Sequence, residues 1–458
     1  MAPSSLPPAL AGAVETVAAI AEGRHDATEL AKACLERIDA LEPAIGAWTC
    51  LDPAAVLAQA ASRDEARRRG DPLGALHGVP VAIKDNIDTE DLPTEDGTVL
   101  HAGRRPDADA TLVARLRAAG AIVMGKSVTT EFAYFTPGKT RNPHDPARTP
   151  GGSSSGSAAA VASAMVPLAI GTQTNGSVIR PAAFCGVVGF KPSFGLISRH
   201  GVLRTSRRLD QIGVFARSVD DAALLAECLI GVDAGDPDTR GCSAPDLVRL
   251  AASEPPLPPT LGLLRSTLSA RADRQTTEAF DELAEALGAR ISVVDLGEGV
   301  AHVNAWLATI MRTEIAFNLQ QDHQRGADRM SERLLRLIDA GRATSATDYL
   351  AALALADRYA GTVAELFTSF DALVLPSAPG PAPLGLDSTG DPVFCSFASL
   401  LGLPAISLPL LQSEEGLPIG VQLVGAHRQD GRLLRTANWL VRTLGADATA
   451  GDGEGAAR

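Results

Sequence analysis

A chain of 458 residues, 45% hydrophobic and 21% charged, can build either two or three ordinary domains or one large α/β enzyme. Its formal net charge of −13 and pI near 5.1 argue against nucleic acid or an anionic membrane as partner. Six cysteines scattered without CxxC or Cys/His ligand spacing fit unpaired thiols in a reducing, cytoplasmic setting, not a disulfide scaffold or a zinc site.

The chain opens without a basic n-region, so a secretory signal is not expected. Residues 8–41 read as two helices, the second capped by Asp26 or Thr28, and a third helix runs from about Asp52 to Arg69 and stops at Gly70. "GVPVAIKDNID" is a short β-branched strand that breaks into polar residues. "DATLVARLRAAG" is a helix stopped by Gly120, and "AIVMGKS" is the strand leaving it. The stretch "TPGGSSSGSAAAVASAM" then carries three serines between glycines and runs into a helix at about 157–165. A strand "PLAIGT", a tight Asn-Gly corner and further strands through "GVVGFKPSFG" follow. Next come the helix "SVDDAALLAECLIG", a Pro-rich joint at 253–260, a helix-rich segment over 275–370, and buried strands in "DALVLPSAPG" and "GLPAISLPLL…LPIGVQLVGA". Strands alternate with helices and no repeat appears, so the expected fold is α/β: one mixed sheet covered on both faces by helices. A single domain is expected over 1–445, with a signature core at about 75–230, a substrate-lining segment at about 255–370 and a frayed tail at 446–458.

No charged residue occurs between Arg148 and Arg180, but Pro167, Gln173, Asn175 and several glycines and serines in that interval are costly in hydrocarbon. A buried core with a site is the better reading. Two motif matches fail on context. Gly120-Ala-Ile-Val-Met-Gly-Lys126-Ser127 fits GxxxxGK[ST], yet a helix precedes Gly120 and the spacer is strand-like, so its amides belong to a sheet and not to a phosphate. Gly152-Ser-Ser154-Ser-Gly156 fits GxSxG, yet the Pro-rich "TRNPHDPARTP" before it is no central strand and no downstream His stands out.

What remains is Lys84 at the end of an apolar strand, Ser153 to Ser155 in a Gly-rich loop, and Ser177 in "TQTNGSVIRP". A serine hydroxyl needs a base to attack, and desolvation can make a buried lysine one, which arginine cannot become. The chain has five lysines against 36 arginines, so a lysine inside an apolar strand is notable. The bland alternative is a Lys84 paired with Asp85 or Asp88.

These segments resemble the amidase signature family, from "LHGVPVAIKDN" through "GKSVTTEFA", "NPHDPARTPGGSSSGSAAAVA" and "FCGVVGFKPSFGLISRHG" to "GLPAISLPL…GLPIGVQLVG". The resemblance implies Ser177 as nucleophile, Ser153 as proton relay across a cis Gly152–Ser153 peptide, and Lys84 as base. The 24-residue separation of Ser153 and Ser177 matches the family's spacing. It further implies an oxyanion hole from the amides of Thr174, Asn175, Gly176 and Ser177. The activity implied is cofactor- and metal-free cleavage of amide-type C–N bonds, extending to carbamates, esters or ureas, by a monomer or homodimer acting on a small molecule. The alternative is the glutaminase-type component of an amidotransferase.

Two features depart from the commoner pattern. Asn175-Gly176 stands where Gly-Gly is usual, and Asn tolerates left-handed backbone. Arg180 falls three residues after the nucleophile, a form resembling the malonamidase-like branch, where it holds a substrate carboxylate; a structural Arg paired with a buried acid is the alternative. Gln173 is expected to order the loop. Phe132, Tyr134, Trp306, Met311 and Phe394 are expected to line the pocket.

Overall fold

The computed structural model describes residues 12–243 and 246–454. Among the described residues eleven strands form one mixed sheet: β1 (Trp48–Leu51), β2 (Pro80–Lys84), β3 (Ile122–Ser127), β4 (Leu168–Gln173), β5 (Val188–Lys191), β6 (Gln211–Ala216), β7 (Leu261–Leu264), β8 (Ile291–Val294), β9 (Ala372–Pro376), β10 (Ala405–Gln412) and β11 (Pro418–Val424). Their order is β1-β3-β2-β4-β6-β5-β10-β11-β9-β7-β8. β3, β2 and β4 are mutually parallel, as are β8, β7 and β9; the pairings from β4 through β6, β5, β10 and β11 to β9 are antiparallel.

The strand period of two divides the core. Val81 and Ile83 join one apolar cluster with the helices Thr111–Ala118 and Val219–Leu229. Ala82 joins another on the opposite face with the helices Ala27–Ile45 and Ser155–Ala162. A sheet buried on both faces reads as a continuous apolar run, which is why "PVAIK" lacks alternation. A third cluster covers the β9–β11 region with the helices Val303–Asn318, Glu332–Arg342 and Ala346–Leu366.

Local signals set the helix ends. Asp52 accepts from the amides of Ala54 and Ala55 at the start of Pro53–Arg69, and Gly70 ends that helix in the left-handed region at φ 78°. Asp26 and Glu29 form a capping box. The start of the first helix near residue 8 lies outside the described residues; its described part is Ala13–Ala21. The tail expected to fray from 446 continues the helix Asp430–Glu454, and residues 455–458 lie outside the described residues. Within the segment that reads as helical, β8 is a four-residue edge strand, too short to leave a period-two signature. Among the described residues no helix is long and apolar enough to cross a membrane.

Candidate active site

The carboxyl ends of β2 and β4 bring Lys84 and Thr172 together, and the turn before the helix Ser155–Ala162 sets Ser153 against them. Lys84 is fully buried, and its Nζ lies 2.7 Å from Ser153 Oγ, 2.8 Å from Thr172 Oγ1 and 3.4 Å from the Thr172 carbonyl. Asn86 Nδ2 donates to Thr172 Oγ1 at 3.0 Å and fixes that hydroxyl. Among the described residues no carboxylate bonds Lys84. Asp85 faces Lys126 instead, at 3.7 Å, and Asp88 pairs with Arg104. Desolvation therefore dominates and holds Lys84 well below the ordinary lysine range, with buried Asp210 opposing at longer range. A neutral amine has two N–H groups and a lone pair. Thr172 offers two acceptors, which leaves the lone pair for the Ser153 hydroxyl.

The Gly152–Ser153 peptide is cis. The helix that follows packs against the sheet through Gly156, where a Cβ would come within 2.2 Å of the Ala47 carbonyl oxygen and 2.3 Å of the Val128 nitrogen; only glycine fits. Ser154, the residue the GxSxG match points to, is fully buried in a structural role. Its Oγ donates to the Thr172 carbonyl at 3.2 Å, and its amide donates to the Ser177 carbonyl at 3.3 Å. Lys126, from the phosphate-loop match, is likewise spent inside the protein on the Ile87 carbonyl (2.5 Å) and Thr94 Oγ1 (2.6 Å).

Ser177 sits in the turn between β4 and the helix Ile179–Cys185, 8% exposed. Gln173 orders that turn: its Oε1 accepts from the amides of Val178 (2.7 Å) and Ile179 (3.0 Å), and its Nε2 donates to Ser399 Oγ. With those helix-start amides satisfied, the N–H groups of Asn175, Gly176 and Ser177 donate to no acceptor among the described residues. Asn175 is not in the left-handed region; its side chain accepts from Ser396 Oγ (2.8 Å) and its carbonyl from Ser399 Oγ (2.5 Å). Its role is thus to tie the turn to the helix Ser396–Leu400. Thr174 Oγ1 donates to Asp210 Oδ1 at 2.6 Å.

A narrow cavity with room for roughly one or two waters, about 20 Å³, is lined by Ser153, the residues Thr174 to Ser177, Arg180, Thr205, Thr389, Ala133 to Phe135, Met311 and Ile315. Arg180 is fully buried. One of its nitrogens donates to the Gly152 carbonyl (2.6 Å) and to Thr389 Oγ1 (3.1 Å), while Nε and Nη1 have no partner among the described residues. No buried acid among those residues pairs with it, and burial lowers it to about 10. Nη1 lies beneath Gly176, 3.1 Å from where a Cβ would be.

Tyr134 and Met311 line this cavity; Phe132, Trp306 and Phe394 lie off it. Phe132 adopts φ 47° and turns its ring inward against His101. Trp306 packs between His302 and Tyr359. Phe394 is core, its carbonyl accepting from Gln422. The lining residues Phe135, Ile315 and Thr389 carry no sequence signal beyond their neighbourhood. A larger cavity of about 150 Å³, lined by Asn86, Thr172, Asp210 and Arg199, shares Ala133, Thr174 and Thr205 with the first.

The family model "Amidase" matches residues 29–434. The chain belongs to the amidase signature family. The A component of the glutamyl-tRNA(Gln) amidotransferase of Chloroflexus aurantiacus is 36% identical to it, over 92% of this chain and 94% of that protein. Among solved structures, the native peptide amidase of Stenotrophomonas maltophilia superposes with a TM-score of 0.82 at 31% identity, covering 95% of this chain and 97% of its own. A chain from a vestigial protein complex connected with the origins of an s-triazine catabolic enzyme gives a TM-score of 0.89 at 31% identity, covering 94% and 98%. This amidase-family chain is therefore an enzyme that acts on C–N bonds.

Proposed function

We propose that the protein hydrolyses the amide-type C–N bond of a small substrate whose acyl half carries a carboxylate. The observation that carries this reading is the 2.7 Å contact between a carboxylate-free, fully buried Lys84 and Ser153 at the edge of the cavity that holds Ser177. Neutral Lys84 takes the Ser153 proton as Ser153 takes that of Ser177, and the Ser177 oxygen bonds to the carbonyl carbon. The amides of Asn175, Gly176 and Ser177, with Thr174 beside them, receive the oxyanion; one such donor is worth about 3–4 kcal/mol in acyl transfer. The C–N bond breaks as the amine regains a proton through Ser153, and water then cleaves the Ser177 ester by the same relay to give the carboxylic acid.

The unpartnered Nε and Nη1 of Arg180 support the carboxylate. A buried guanidinium without a counter-ion is costly, and an anionic acyl group supplies one. The identity with the glutamyl-tRNA(Gln) amidotransferase component favours a second reading, in which ammonia from glutamine passes to a partner enzyme. Assays on the protein alone separate the two. Hydrolysis of short dicarboxylic monoamides in preference to their neutral analogues supports the first; activity confined to glutamine and raised by a partner overturns it.

A further inference from the structure

The cavity beside Ser177 has two walls from separate parts of the chain. One is the loop Ala133–Phe135 after β3; the other is the helix Val303–Asn318, which presents Met311 and Ile315. Both walls line the cavity beside Ser177, so their spacing limits what enters. One side chain spans the elements behind both. His101 Nδ1 lies 2.8 Å from Asp96 Oδ2, and its Nε2 lies 3.0 Å from Asp322 Oδ1. Asp96 holds the first wall: its carbonyl accepts from the Phe132 amide at 2.8 Å, and the Phe132 ring meets the imidazole edge-on at 5.2 Å. Asp322 belongs to the helix Gln320–Gly326, which continues directly from the second wall through Leu319. Leu100, beside His101, reaches so close to Gly326 that a Cβ there would lie 2.4 Å from it.

A neutral imidazole has one N–H and cannot donate to two carboxylates; an imidazolium can. We propose that His101, bridging Asp96 and Asp322 as an imidazolium, is a positioning residue that sets the gap between the two pocket walls and so the length of acyl group accepted. This rests on the reading of the cavity beside Ser177 as the acyl pocket. The groups facing His101 are Asp96, Asp322 and the Phe132 ring; Arg325 also bonds Asp322, and Arg104 and Asp88 act on Asp96. Hydrogen bonding to Asp96 raises the His101 pKa above the ordinary histidine value, burial opposes, and Asp322 adds to the rise. Burial raises the Asp96 carboxyl and its hydrogen bond with His101 opposes. The bridge is therefore complete where both carboxyls are ionised and His101 is protonated, and it is lost as pH climbs through the raised His101 value.

The test is the ratio of kcat/KM for a short dicarboxylic monoamide to that for one longer by two methylenes, measured across pH. Protonation of Lys84 affects both substrates alike and cancels in the ratio. The expected wild-type ratio is highest where His101 is protonated and both carboxyls are ionised, and it falls by about tenfold as His101 deprotonates, a size set by the worth of a methylene in a fitted pocket. His101→Gln and Asp322→Asn should both give the low ratio at every pH. Equal ratios in wild type and both variants, or the same pH dependence in His101→Gln, overturn the proposal. Nitrogen NMR of the Ser177→Ala protein reads the imidazole without turnover: both ring nitrogens protonated near pH 6.5 supports the bridge, and a neutral ring there overturns it. Failure of the catalytic reading shows separately, as turnover surviving in Ser177→Ala.

Discussion

The floor of the site and its helical cap are built on opposite principles. The floor, formed by the ends of β2 and β4 and the turns at 150–156 and 174–178, is nearly all small or polar residues with their partners fixed: Lys84 on Ser153 and Thr172, Gln173 on the next helix, Asn175 on Ser396. The cap, Val303–Asn318 and Glu332–Arg342, touches the cavity only through Met311 and Ile315, which fill space without directional bonds. The floor tolerates little because each group is held by directional partners. Under the proposed function, selectivity for the acyl group belongs to the cap, which can change its contacts and keep its fold, and chemistry to the floor.

Substitutions should divide along that line. The largest effect is expected at the reacting atoms: Ser177→Ala and Lys84→Ala should each lower kcat by at least about a thousandfold while the unfolding temperature stays near that of the wild type, checked by steady-state kinetics and calorimetry. Full activity in Lys84→Ala would dissolve the contrast between floor and cap. Lys126, equally buried and one strand away, is the matched control. Lys126→Ala strands Asp85 and should cost about 3 kcal/mol of stability in chemical denaturation, with activity retained in the folded fraction. Arg180→Gln should lower kcat/KM by about ten- to a hundredfold on carboxylate-bearing amides and leave neutral amides close to wild type. Met311→Ala should shift acyl-length preference by only several-fold with kcat nearly unchanged, measured on a series of monoamides. The pH profile sharpens the same division. Lys84 must be neutral to accept a proton and burial depresses its pKa, so kcat/KM should rise with pH through that depressed value and fall at acid pH.

Part of the floor was legible from residue type, since a lysine ending an apolar strand and serines in Gly-rich turns stand out. Their roles and the 24-residue spacing came from the family resemblance, and the structure sets Lys84 and Ser153 in contact. Lysine scarcity alone would not have sufficed: Lys84, Lys126 and Lys191 are all fully buried, and only Lys84 meets a serine hydroxyl of the site. The cap resisted because helix periodicity gives a face but not its direction. Trp306 and Met311 are five residues apart, about 140° round a helix, so only one can face the cavity, and packing chooses Met311 with Ile315 one turn on. At Phe132 the reason is the backbone. A positive φ, uncommon for an aromatic residue, turns its ring from the cavity toward His101 and leaves Tyr134 and Phe135 at the wall. Asn175 shows the same limit, since its side chain answers to Ser396, 221 positions later in the chain.

The most direct test of the catalytic assignment is mass spectrometry of protein quenched during turnover of a slowly deacylating aryl ester. An acyl group is expected on the peptide containing Ser177, absent in Ser177→Ala and strongly slowed in Lys84→Ala. An adduct on Ser153 or Ser154, or acylation undiminished without Lys84, would contradict it.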